Sequence, residues 1–260
     1  MVFFNKIKES LRKFIDKILN FFRNIFSKNV EKVSANINTV SKQSNETKIK
    51  TEPSQEEKLK AQDSGETITI ASSIWLSSIM SDANQIFFKF NDFRDYISYF
   101  DGDYKRDDIL KNKIDQCLKK FKNEGILIGS MSSKTVEEAH ANFKEELEGT
   151  NMVALVKDGQ LKITNEKKRN LIETTQSGIS SCEKNAKRME SELSKFKQSI
   201  KKTDDDMSKK FSQDSKGLFM DLSNMIITSI NICVAYLTDS LIELNKTTNA
   251  IKKVEKMFNI

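Results

Sequence analysis

A single proline, Pro53, and only eight glycines in 260 residues leave the chain few obligatory breaks, so long helices form at little cost. Its three cysteines, Cys117, Cys182 and Cys233, are odd in number, far apart and without a C-x-x-C pair, which excludes a disulfide framework or a zinc site as the organising feature. The one histidine, His140, sits in the polar helical stretch "EEAHANF" and reads as a surface residue. Any Ser-His or Cys-His nucleophile would have to pass through it. No nucleophile, paired buried carboxylates or phosphate loop stands out, so the sequence does not read as an enzyme and implies no cofactor and no metal. Runs of eighteen apolar residues are also missing. The longest candidate, "MIITSINICVAYL" at 225–237, is interrupted by Thr228, Ser229 and Asn231, and no transmembrane helix is expected.

What the chain does have is charge, 31% of residues against 37% hydrophobic, a balance suited to helices with solvated backs. The net charge is +6, and residues 1–29 carry +5 of it, seven basic side chains against Glu9 and Asp16. The remainder is close to neutral, so no nucleic-acid footprint is expected. Within "FFNKIKESLRKFIDKILNFFRNIF" at 3–26, Phe4, Ile7, Leu11, Phe14, Ile15, Ile18, Phe22 and Ile25 share one helical face, with most basic residues opposite. The apolar positions alternate with Lys, Arg and Asp and no small-residue cleavage site follows, which does not suit a secretory signal peptide. Two readings stay open: adsorption on an anionic membrane surface, or docking on a partner or on the protein's own bundle.

Five segments follow from composition and periodicity: an amphipathic basic helix at 1–29, a flexible polar linker at 30–67, a helical arm at 68–124, a small mixed α/β insert at 125–164, and a long carboxy-terminal helix at 165–260. In the arm, Trp75, Ile79, Ala83, Ile86, Phe90, Phe93, Ile97 and Phe100 recur by threes and fours, before a turn at "FDGDYKRDD" and a shorter helix at about 109–123. Gly125 suits a left-handed helix cap, "ILIGSM" reads as a short buried strand, and "SKTVEEAHANFKEELEG" opens with a capping-box pattern. In "MVALVKDGQLKIT" two apolar runs flank Asp158-Gly159, a pair suited to a tight hairpin turn. The last segment carries two seams: Ile179, Cys182, Ala186, Met189, Leu193, Phe196 and Ile200, continuing to Thr203 and Met207, and then Phe219, Leu222, Ile226, Ile230, Cys233, Leu237, Leu241, Leu244, Ile251, Val254 and Phe258. Gly178 and Gly217 are the expected bends. The fold class expected is mainly α: an elongated antiparallel intramolecular coiled coil, in which 179–200 packs on 74–100, with a small mixed insert and an amino-terminal amphipathic helix.

Over roughly residues 70–242 the succession of "IW", "ILKNKIDQCLKKFKN", "GILIGSM", "EEAHANFKEEL", "KDGQLKIT" and "FKQSIKKTDDDMSKKFSQDSKGLFMDLSNMIITSI" resembles the needle-tip proteins of bacterial type III secretion, the invasion plasmid antigen D family. A second, weaker resemblance is to the type III translocon filament family, through its "NGILI-x-GM" stretch. The resemblance implies a secreted structural protein at the bacterial surface that caps the needle and helps deploy translocators at the host membrane. It implies needle subunit and translocator partners and a homo-oligomer at the tip. Ile226, Ile230, Leu237 and Leu241 would make the needle contact. The alternative is a peripheral membrane scaffold anchored through Phe4, Ile7, Leu11, Phe14, Ile18, Phe22 and Ile25.

Overall fold

The computed structural model describes residues 2–46, 65–72, 107–128, 131–150, 152–202 and 213–258. In order they form α1 (Val2–Phe21), a π-helical turn (Phe22–Phe26), α2 (Ser27–Glu46), β1 (Ile68–Ile70), α3 (Asp107–Glu124), β2 (Ile126–Ile128), β3 (Met131–Ser133), α4 (Val136–Glu148), β4 (Val153–Lys157), β5 (Gln160–Leu161), α5 (Asn165–Lys202) and α6 (Gln213–Phe258). The protein is mainly helical with small antiparallel sheets, as expected. The proposed helix at 74–100, Thr203 and Met207 lie outside the described residues.

Two compact units divide the chain. The first comprises the described residues of Met1–Phe26, Asp82–Asn142 and Lys184–Leu237. Here α1 runs antiparallel to α5: the ion pair of Asp16 with Lys197 is followed, seven residues on in the π-helical turn and seven back along α5, by Arg23 with Glu190 at 3.2 Å. Leu11, Ile15, Leu19, Phe22 and Phe26 from the first segment are buried, as are Met189, Leu193, Phe196 and Ile200 of α5 and Phe219, Leu222, Ile226 and Ile230 of α6. Each such side chain contributes about 1.5–3 kcal/mol relative to leaving it exposed. The β2–β3 hairpin belongs to this unit, with Ile126 opposite Ser133 and Ile128 opposite Met131. Gly125 precedes it at φ 62°, its N–H bonded to Phe121 O at 2.8 Å, the cap expected at the end of α3. A Cβ at Gly125 would lie 2.7 Å from both Ser132 Oγ and Ser133 O.

The second unit comprises the described residues of Ser27–Ser81, Phe143–Glu183 and Thr238–Ile260. Its sheet has the order β1-β4-β5, all antiparallel, with Ile68 opposite Val156 and a bulge before Thr69. Lys157 pairs with Gln160 across Asp158-Gly159, whose φ values of 51° and 73° make the tight mirror-image turn expected of that dipeptide. The turn is held by Gly159 N–H donating to Glu66 O at 2.9 Å and Asp158 N–H donating to Thr67 Oγ1 at 3.3 Å. α5 and α6 are antiparallel here. Lys168 Nζ meets Glu255 at 2.8 Å with 9% and 5% of the side chains exposed, and ten residues on along α5 Gly178 faces Leu244, eleven back along α6. A buried pair of this kind adds little net stability, whereas an unpaired partner would cost about 3–5 kcal/mol, so the pair selects this register over others.

Three expectations are corrected. The polar linker does not begin at residue 30, because helix continues through Glu46 with Val30, Val33, Ile37 and Val40 buried. One apolar residue per turn is enough for a docked helix even in a Ser/Asn-rich stretch. The arm does not begin as helix at 68, because Thr67 to Ile70 alternate β-branched residues, and Ile68 and Ile70 are buried with Thr69 exposed between them. "ILIGSM" is not a single strand but supplies β2 and the start of β3, with Leu127 40% exposed. The mixed insert at 125–164 is therefore split, its β2–β3 hairpin in the first unit and its β4–β5 hairpin in the second.

Candidate assembly surfaces

Helix α6 supplies the residues expected to meet a needle. All four are interior: Ile226, Ile230, Leu237 and Leu241 are between 0% and 5% exposed. From Met225 to Leu241 no residue of α6 is exposed, so the helix is covered on every side rather than presenting one free face. The sequence signal lay in Ile227, Ile232, Val234 and Tyr236, apolar residues between the seam positions. The polar residues that interrupt the run are accommodated inside the helix itself: Ser229 Oγ donates to Met225 O at 2.7 Å and Thr248 Oγ1 to Leu244 O at 2.8 Å, both buried. By length and composition alone Gly217–Phe258 could cross a membrane, but 61% of its most apolar window is buried inside the protein, which accounts for its character. The large apolar side chains that α6 leaves exposed are Met220 and Ile242, at 46% and 47%.

The amino-terminal face is divided in the same way. Ile7, Leu11 and Phe22 are buried in the fold, Phe14 and Ile18 are half-buried, and Ile25 is 54% exposed; Phe4 lies in α1. The expected set of seven therefore does not form one free face. Leu19 and Phe26, not in that set, are core residues at 4% and 2% exposure. The π-helical turn explains the difference. Steps of four from Ile7 to Leu19 drift around a 3.6-residue helix, and a wider turn takes up the drift, bringing Phe22 and Phe26 inward with their rings 5.6 Å apart. Ile25, between them in sequence, is left outside.

Helix α4 is positioned from its first turn. Thr135 Oγ1 accepts the Glu138 N–H at 3.1 Å, and the Glu138 carboxylate reaches back to the Lys134 N–H at 2.6 Å, a variant of the expected capping box. Hydrogen bonds from its own backbone N–H and then from the Thr135 hydroxyl hold the Glu137 carboxyl below the usual glutamate range. Asn142 Nδ2 donates to Ser132 O and Ser133 Oγ, each at 2.9 Å, clasping β3 against α4. His140 is exposed on the same helix. Cys117, Cys182 and Cys233 are buried and outside any disulfide, and burial pushes Cys182 and Cys233 up to about 12, away from nucleophilic chemistry. Among the described residues no group of three or more His, Cys, Asp or Glu side chains could hold a metal ion.

Protein-family models give no match to this chain, and comparisons with curated proteins and with solved structures give none either.

Proposed function

We propose that this chain is a non-enzymatic, secreted assembly protein of the type III needle-tip class, capping the needle and helping to deploy translocators at a host membrane. The observation that supports the reading is the order of elements. The segments resembling the tip family fold in turn as helix α3, the β2–β3 hairpin, helix α4, the β4–β5 hairpin and the long helices α5 and α6. In this reading α5 and α6 act as an antiparallel coiled coil, its register set by Lys168 with Glu255 and by the close approach of Gly178 to Leu244. Because Ile226, Ile230, Leu237 and Leu241 are interior, the needle contact in this reading uses the apolar side chains that α6 leaves exposed, Met220 in the first unit or Ile242 in the second.

Deleting the gene tests the proposal: secretion of translocators into the medium should continue while delivery of a reporter into host cells is lost. Met220→Asp with Ile242→Asp should reproduce the loss with a folded, secreted protein. Undiminished delivery in the deletion strain would overturn the assignment.

A further inference from the structure

We propose that Phe14, Ile18, Phe21 and Ile25, edged by Lys6, Lys13 and Lys17, form a strip by which the amino-terminal helix lies on an anionic lipid surface. The apolar row is what the protein's own packing leaves over. Its steps of four, three and four keep it on one line of the helix, beside the buried row rather than within it. Phe14, Ile18 and Phe21 are half-buried and Ile25 is 54% exposed, more than any other large apolar side chain among the described residues. The exposure of Ile25 is built in, since it lies in the π-helical turn that sends its neighbours Phe22 and Phe26 inward.

The charge beside this row is mainly basic. Lys6, Lys13 and Lys17 are all exposed and, with Asn24, follow one another at intervals of seven, four and seven residues along the side of the helix away from the core. At 1.5 Å per residue the row runs for about 27 Å. The only two acids in residues 1–29 are both engaged: Glu9 pairs with Lys13 at 2.7 Å, and Asp16 is turned to Lys197 of α5. A shallow apolar row with a continuous basic edge matches a planar surface that offers negative headgroups above a thin apolar layer. A protein partner would instead have to present an acidic row in the same spacing.

Flotation of the full chain with vesicles tests this directly. Binding is expected to vesicles containing about one third phosphatidylglycerol in phosphatidylcholine, not to phosphatidylcholine alone, and to weaken as salt is raised. Ile25→Glu should reduce binding roughly tenfold. Lys6→Gln with Lys17→Gln should reduce it by roughly thirtyfold. All three positions are exposed, so helicity by circular dichroism should match the wild type. Ile109→Glu, at an exposed apolar position outside the strip, should bind as the wild type does. Failure of the wild type to bind anionic vesicles, including the case in which it pairs instead with an acidic protein, would overturn the proposal. So would equal binding by wild type and the folded Ile25→Glu or lysine variants, or an equal loss in Ile109→Glu.

Discussion

Two glycines that look alike in sequence do opposite work. Gly178 and Gly217 both lie inside long helices and read as bends, yet helix runs through each. At Gly217 an added Cβ would meet nothing within 4 Å, so Gly217→Ala should simply remove glycine's backbone entropy cost and raise stability by about 0.5–1 kcal/mol. At Gly178 a Cβ would stand 2.9 Å from Leu244 Cδ2, itself fully buried, so the missing side chain is what lets α5 approach α6. Gly178→Leu should therefore cost about 1–3 kcal/mol through overpacking. Urea denaturation of the two variants checks the pair, and a neutral Gly178→Leu would remove the close approach from the account. Periodicity could find neither role, because a glycine's worth depends on what faces it across the fold.

At the scale of elements, what was legible is what local chemistry decides. The Asp158-Gly159 hairpin, the Gly125 cap and the Thr135 start of α4 follow from residues within a turn of one another, and each is present. Both carboxy-terminal seams were also legible, since every described position in them is buried. Less legible were elements that exist because something else covers them. The helix from Ser27 to Glu46 has too few apolar residues to stand out, and β1 is three residues long and gains its place by pairing with β4. The cap of α4 supports a local prediction. Thr135→Ala should destabilise the first turn by about 1 kcal/mol, seen as a roughly fivefold rise in exchange of its amides. Glu137, whose carboxyl is held low by its own N–H and then by Thr135, supports the turn fully above the ordinary glutamate range and loses that support as pH falls through its lowered value. Unchanged exchange in Thr135→Ala would show that the Thr135 hydrogen bond contributes nothing to the turn.

For the whole molecule, the amino terminus was open to two readings, adsorption on a membrane or docking on a partner or on the protein's own bundle, and the buried row Ile7, Leu11, Ile15, Leu19, Phe22 and Phe26 makes it part of the fold. The seam of α5 from Ile179 to Ile200 could be read from spacing, and the partner expected for it at 74–100 lies outside the described residues. What spacing could not show is that, within the first unit, α5 is also joined to the amino-terminal segment by Asp16 with Lys197 and Arg23 with Glu190, residues 181 and 167 positions apart. Zero-length carbodiimide coupling of the purified chain at high dilution, read by mass spectrometry, addresses this pairing most directly. The account predicts an Asp16–Lys197 amide within the monomer, alongside the local Glu9–Lys13 link. Coupling of Asp16 to Lys197 only between two chains, or its absence from a folded monomer in which Glu9–Lys13 has reacted, would contradict it.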